Sequence, residues 1–154
     1  EVQLSPTAAY TVSDLTQQPV GRDTSISGHV YWVSSRPVQE ATLEEGLAKH
    51  GTFTTDILSE GADLINRLIG RMETETKLCV TIDMRLDDFP PLELAFAIRG
   101  IETAFGCEKS TIVFIGPERE GLKDACRQLN PARHLAGDPD TNPDLIIRSL
   151  VDVF

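Results

Sequence analysis

The chain is poor in several residue types, and each shortage excludes a class of protein. It has 154 residues but only 3 cysteines, none in CxxC spacing, so neither a disulfide framework nor a zinc site is expected. No apolar run approaches the roughly 18 residues of a membrane span. The first residues also lack the basic start and apolar core of a signal peptide. These absences predict reduced thiols, no membrane association and a cytoplasmic location.

Positive charge is scarce too, since 14 Lys and Arg face 24 Asp and Glu and the formal net charge is -10. Nucleic-acid affinity comes mostly from basic patches that displace counterions, so a nucleic-acid partner is not expected. A protein partner or a small ligand stays open. The length suits one folded domain, because domains usually contain about 100 to 200 residues.

The composition divides the chain near residue 27. Residues 1–27 are rich in Thr, Ser, Gln, Pro and Gly and show no helical period. Such a segment is typical of a linker or of the remnant of a preceding domain. We therefore expect the folded domain to comprise residues 28–154.

From residue 28 onward, short apolar runs alternate with helical patterns. The runs predicted to be strands are residues 29–33, 52–58, 78–82, 111–115 and 133–136. The helices are expected to begin at Pro37, after Ser59 as a capping residue, after the Pro90–Pro91 pair, near Leu122 and at Pro143. Strands that are apolar on both faces are typical of a parallel sheet with helices on each side. The pattern predicts a three-layer α/β domain.

In such a domain, the functional site lies outside the carboxyl ends of the strands. Asp83 follows the third strand, Ser34 and Ser35 follow the first, Gly116 follows the fourth and Asp138 follows the fifth. Phosphoryl transfer at Asp83 needs a metal and further cationic groups, and Mg²⁺ prefers one or two additional carboxylates. Two hydroxyls are poor substitutes for such acids. The sequence therefore predicts no catalytic residue, no metal and no cofactor.

These loops and strands resemble those of response-regulator receiver domains, over residues 28–154. The matching segments are residues 30–37, 51–61, 79–88, 112–117 and 134–139. The resemblance implies a flavodoxin-like, five-stranded parallel sheet with strand order 2-1-3-4-5.

The same resemblance assigns a position to each loop residue. Asp83 matches the phospho-acceptor, whereas Ser34 and Ser35 stand where the family has an acidic metal-binding pair. Gly116 replaces the Ser or Thr that ends the fourth strand, and Asp138 replaces a lysine. This pattern implies a pseudo-receiver: a non-enzymatic module of a larger two-component regulator, such as a hybrid histidine kinase or a transcriptional activator. It would act through contacts with other domains or signalling proteins, without Mg²⁺-dependent phosphorylation.

Other interpretations stay open. Arg36 and Arg85 flank the crevice, and arginines suit phosphate, so a sensor of a small ligand such as a cyclic dinucleotide is one alternative. Salt bridges to Asp87, Asp88 or Asp138 are the simpler explanation of both arginines. A working receiver phosphorylated at Asp83 is the second alternative. A flavodoxin-like enzyme or flavin carrier is the weakest alternative, because no phosphate-cradling loop rich in Ser, Thr and Gly follows the first strand.

The last predicted helix carries two apolar stripes. One contains Ile146, Leu150 and Val153, and the other contains Ile147, Val151 and Phe154. A surface helix needs only one stripe to cover a sheet. We therefore expect the second stripe to meet a partner or a second copy of the chain, as in a homodimer. The competing interpretation is a wide terminal helix packed entirely within the domain.

Overall fold

The computed structural model describes residues 26–36, 40–71, 77–138 and 143–154. In these ranges strands and helices alternate along the chain. The elements are β1 (Ser27–Val33), α1 (Glu40–Ala48), β2 (Thr52–Leu58), α2 (Gly61–Arg71), β3 (Leu78–Asp83), α3 (Pro91–Phe105), β4 (Thr111–Ile115), α4 (Leu122–Gln128), β5 (Ala132–Leu135) and α5 (Pro143–Val151). The expected alternation is confirmed, with most boundaries displaced by no more than a few residues. Most of the proposed linker, and the predicted helix start at Pro37, lie outside the described residues.

All strands pair in parallel, and their order is β2-β1-β3-β4-β5. Parallel strands need a crossover connection, and here a helix lies between each strand and the next. The predicted three-layer architecture and the flavodoxin-like strand order are both confirmed. The carboxyl ends of β1, β3 and β4 meet at one edge, where Val33 pairs with Ile82 and Asp83 with Ile115.

Successive side chains of the sheet enter two separate cores. On β1, Tyr31 and Val33 face the core that is covered by α2, α3 and α4. Val30 and Trp32 face the opposite core, which is covered by α1 and α5. This alternation is the two-residue period of a strand. Because both faces are buried, the central strands are apolar at almost every position.

The second stripe of α5 packs inside the domain, which corrects the expectation of a partner face there. Ile147 is buried and contacts Gly46 of α1, where a β-carbon would overlap its side chain. Val151 and Phe154 are partly buried against the same core. The Phe154 ring packs edge-on against Phe53, with ring centroids 5.1 Å apart. The doubled stripe thus serves the contact of α5 with α1 and β2, and it gives no evidence of a second chain.

The start of α2 also differs from expectation. Its first amides are bound by Asp88, whose two carboxylate oxygens each lie 3.0 Å from the Gly61 nitrogen. We expected Ser59, two residues before Gly61, to provide this cap. A carboxylate at a helix N-terminus satisfies free N–H groups and opposes the positive end of the helix dipole. Because Asp88 comes from a distant loop, a local sequence pattern could not reveal it.

Candidate functional site

The candidate site is a crevice at the carboxyl ends of β1, β3, β4 and β5. Its central group is Asp83, the last residue of β3, whose side chain is 5 % exposed. Ser34 directly follows β1, and its hydroxyl donates a hydrogen bond of 2.7 Å to Asp83 Oδ2. The sheet register places these two residues side by side, as the sequence predicted from the loop rule.

Asp83 accepts two further hydrogen bonds. Arg36 Nε lies 3.1 Å from Oδ2, and the backbone N–H of Arg85 lies 2.9 Å from Oδ1. Burial by itself raises the pKa of this carboxyl. The bonds from the Ser34 hydroxyl, the Arg85 amide and the Arg36 guanidinium favour the ionised form and outweigh burial, so the pKa of Asp83 falls below its ordinary 3.8. Asp83 is therefore an ionised carboxylate at neutral pH, and each of its two oxygens accepts at least one hydrogen bond.

Two arginines converge on a second carboxylate at the rim. Arg36 Nη1 and Arg85 Nη1 each lie 3.9 Å from Asp138 Oδ2. Asp138 is about one-third exposed, and Arg36 and Arg85 are 30 % and 42 % exposed. Both arginines therefore have carboxylate neighbours. Salt bridges of this kind are the simpler of the two explanations that the sequence offers for Arg36 and Arg85, the other being a bound phosphate ligand. We call Arg36, Asp83, Arg85 and Asp138 the crevice ion-pair cluster.

Gly116, at the end of β4, packs its backbone against the residues around Asp83. Its φ is +124°, a region that side chains other than glycine's rarely adopt. A β-carbon there would lie 3.3 Å from Met84 Cβ and 3.7 Å from Asp83 Oδ1. His134 Nε2 lies 2.7 Å from the Gly116 carbonyl oxygen and so reaches this edge of the sheet. The resemblance assigns a Ser or Thr to this position. Here the residue is a glycine, whose backbone packs closely against Met84 and Asp83.

The loops around the crevice are tied to one another by further bonds. Ser35 Oγ accepts a hydrogen bond of 2.9 Å from the Asp87 amide, so this serine connects the loop after β1 to the loop after β3. Arg119, from the loop after β4, donates through Nη2 to the Met84 carbonyl oxygen at 2.6 Å. Neither Ser35 nor Arg119 contacts Asp83 through these bonds. They hold the surrounding backbone.

The family that the chain resembles has an acidic metal-binding pair in this crevice, but the residues present here do not fit Mg²⁺. Mg²⁺ is held by carboxylate oxygens and water. Here Asp83 Oδ2 already accepts bonds from a hydroxyl and a guanidinium, and the nearest second carboxylate, Asp138, lies beside two arginines. Across the described ranges, His, Cys, Asp and Glu side chains nowhere form a group of three or more that could hold a metal ion. A cation at Asp83 would meet two like charges.

A second buried carboxylate, which the sequence analysis did not single out, lies at the opposite end of the sheet. Glu102 of α3 accepts hydrogen bonds from the Ser110 amide at 2.8 Å and the Ser110 hydroxyl at 2.6 Å. Arg99 Nη1 lies 2.7 Å from its other oxygen. Arg99 also donates to the carbonyl oxygens of Leu129 and Pro131. The signal was present, because Leu94, Ile98 and Glu102 follow the four-residue spacing of one helix face.

A shallow pocket lies beside the site, between α4 and β5. Its volume is about 320 Å³, and it is lined by Glu118, Leu122, Lys123, Cys126 and His134. Burial raises the pKa of the Cys126 thiol, so this cysteine is not an activated nucleophile. Cys79 belongs to the core, where burial raises its pKa to about 12.

Comparisons with solved structures identify the fold. The receiver domain of the histidine kinase CKI1 from Arabidopsis thaliana, complexed with Mg²⁺, is similar with a TM-score of 0.58 at 18 % identity, over 79 % of this chain and 90 % of that one. A CheY-like response regulator receiver domain from Methylobacillus flagellatus has a TM-score of 0.53 at 20 % identity, over 81 % and 99 % of the two chains. A two-component response regulator from Legionella pneumophila has a TM-score of 0.57 at 15 % identity, over 84 % and 100 %. The chain has the receiver fold.

The other comparisons add no family assignment, since no protein-family model and no curated protein matches the sequence. Every helix in the described part of the chain is too short or too polar to traverse a lipid bilayer.

Proposed function

We propose that residues 28–154 form a pseudo-receiver, a non-catalytic signalling module of a larger two-component regulator in the cytoplasm. It acts through contacts with other domains of the same chain or with a signalling protein, and residues 1–27 link it to its neighbours. The regulator is a hybrid histidine kinase or a transcriptional activator. The observation that carries the proposal is the state of Asp83, which is buried and bonded through both oxygens.

The contacts of Asp83 support a phosphorylation-independent role. A carboxylate that attacks phosphorus needs a free oxygen and cations that neutralise the equatorial oxygens of the phosphoryl group. Asp83 Oδ2 is engaged by Ser34 and Arg36, and Oδ1 is engaged by the Arg85 amide. The alternative of a phosphorylatable receiver would require these bonds to break and a metal to enter beside two guanidinium groups.

The same contacts support the pseudo-receiver more strongly than the alternative of a sensor for a small phosphate-bearing ligand. A phosphate-bearing ligand would have to displace Asp138 from both arginines and Asp83 from Arg36. The chain carries a formal charge of -10, which opposes the approach of an anion.

Phosphorylation chemistry tests the proposal directly. We expect that acetyl phosphate with low millimolar Mg²⁺ adds no phosphoryl group, as measured by intact mass, and that beryllofluoride leaves the amide resonances of Asp83, Met84 and Arg85 unchanged. A receiver domain known to accept phosphate is treated in parallel as the positive control. Saturable changes at these amides, absent in Asp83→Asn, would contradict the proposal.

A further inference from the structure

The crevice ion-pair cluster balances its own charge. It contains two arginines and two aspartates, and they come from three different loops. Arg36 follows β1, Asp83 and Arg85 lie at the end of β3, and Asp138 follows β5. The formal charges sum to zero without any bound ion.

Arg36 is positioned between the two carboxylates rather than at the edge of the cluster. Its Nε lies 3.1 Å from Asp83 Oδ2, and its Nη1 lies 3.9 Å from Asp138 Oδ2. Its backbone N–H also donates to Ser34 Oγ at 3.2 Å, and the same hydroxyl donates to Asp83. Ser34 therefore fixes both the start of the Arg36 side chain and the carboxylate that the side chain meets.

We infer that Arg36 is a tethered cation: its guanidinium lies between the carboxylates of Asp83 and Asp138, gives both of them the positive charge that a bound cation would otherwise supply, and holds the loops after β1, β3 and β5 together without a ligand. This inference rests on the proposed function, since it explains how the crevice is closed when no phosphoryl group or metal arrives. An arginine suits the role because its charge persists at every physiological pH and its planar donors reach several acceptors at once.

The arrangement predicts a specific consequence of removing the guanidinium. Arg36→Met keeps a long, flexible side chain but leaves Arg85 as the one arginine of the four-residue cluster, so the cluster gains a net negative charge. Mg²⁺ binds to one or two carboxylates while it keeps several of its waters. The variant crevice should therefore accept the free cation that the wild-type crevice excludes.

The experiment compares Arg36→Met with Arg67→Met, both in the full chain. Arg67 is the matched control, because its ion pair with Asp56 at 3.2 Å contains no residue of the crevice ion-pair cluster and its side chain is 54 % exposed. Each protein is melted with and without 10 mM MgCl₂ at constant ionic strength, and amide spectra are recorded in parallel. We expect Mg²⁺ to raise the melting midpoint of Arg36→Met by about 2–4 °C, with resonance shifts at Asp83 and Met84. Wild type and Arg67→Met should show no such change.

A double-mutant cycle keeps the inference testable if Arg36→Met binds no metal strongly enough to change its melting. Arg36→Met and Asp83→Asn, alone and combined, should be non-additive by about tenfold in the unfolding equilibrium constant. If the cycle is additive, or if Mg²⁺ raises the melting midpoints of Arg36→Met and Arg67→Met by the same amount, Arg36 does not hold the crevice together and the inference is wrong. Phosphorylation of the wild-type protein would instead contradict the proposed function, so the two failures are distinguishable.

Discussion

Two buried carboxylates at opposite ends of the sheet are held by the same three kinds of donor. Asp83, at the carboxyl ends of the strands, accepts bonds from a serine hydroxyl, a backbone amide and an arginine. Glu102, at the other end, accepts bonds from Ser110 through its hydroxyl and its amide, and from Arg99. Both residues are buried, with 4 % of Asp83 and 3 % of Glu102 exposed when the whole residue is counted. At Glu102, these donors connect α3 to the segments that lead into β4 and β5. The same kinds of donor at Asp83 support a structural role for the crevice.

The two clusters differ in how their arginines are placed. Arg99 is 11 % exposed and lies three residues before Glu102 on the same helix, and it also binds the backbone that leads into β5. Arg36 is 30 % exposed and reaches Asp83 from another loop. Water can therefore replace Arg36 at lower cost than Arg99. The Glu102 cluster should contribute more to stability, and the crevice should be the easier of the two to open.

The largest expected effect is that of Glu102→Ala. It leaves the Arg99 guanidinium buried beside no carboxylate and removes the acceptor of the Ser110 amide, so unfolding should become easier by about 3–5 kcal/mol. Urea denaturation measures this free energy, with Thr103→Ala on the exposed face of the same helix as control. A loss below that of Asp83→Asn would reverse the ranking of the two clusters.

Asp83→Asn should cost less, about 1.5–3 kcal/mol, because it removes charge-assisted hydrogen bonds whose arginine can turn toward solvent. The loss should also depend on pH. The folded-state pKa of Asp83 is lowered, so its ionisation stabilises the fold above the ordinary pKa of 3.8, and this contribution is lost as pH falls through the lower folded value. Urea midpoints between pH 2 and 6 should therefore fall more steeply in wild type than in Asp83→Asn. Parallel curves would mean that Asp83 is not stabilised as a carboxylate.

Gly116→Ala probes the crevice through its backbone. With φ at +124° and Met84 Cβ only 3.3 Å from the added methyl group, the variant should lose about 1–3 kcal/mol. Gly100→Ala is the matched control, because nothing lies within 4 Å of a β-carbon there and the residue is within α3. Alanine at this helix position should be neutral or stabilising by up to about 1 kcal/mol. Equal destabilisation of both variants would indicate that close packing at Gly116 is not the cause.

The smallest effect is expected at a third carboxylate, that of Asp88. This residue is exposed, and its bonds described above are to backbone amides of α2 rather than to an arginine. Asp88→Ala should cost about 1 kcal/mol, the usual value of a helix cap. Ser59→Ala, at the residue that the sequence favoured as the cap, should cost much less. Thermal melting of the pair decides between them, and a larger loss from Ser59→Ala would restore the original assignment.

The fold was predictable because its signals are local. The runs at residues 78–82 and 111–115 are apolar at almost every position, which is typical of strands buried on both faces, and the five repeats determine the class. The positions of Asp83, Ser34 and Gly116 followed from the rule for the carboxyl ends of parallel strands. Resemblance then gave the strand order, which the structure confirms.

What the sequence did not predict depends on contacts between distant segments. The helix cap by Asp88 spans 27 residues, and the pairing of Arg36 with Asp83 spans 47. The stripe of Ile147, Val151 and Phe154 was correctly identified as apolar, but only tertiary structure shows that α1 and β2 cover it. The spacing of Glu102 places it on the buried face of α3, but its bonds to Ser110 and Arg99 are known only once the helix is packed.

The packing of Phe154 beside the first strand has a consequence for protein engineering. Its ring occupies the space beside Gly28, where a β-carbon would overlap it, and Lys77 Nζ lies 3.4 Å from its carbonyl oxygen. Residue 28 of the first strand and residue 154 are therefore neighbours. A short glycine linker from residue 154 to residue 26 should close the domain into a circle, and new ends opened in the turn at residues 106–109 would give a circular permutant with the same sheet.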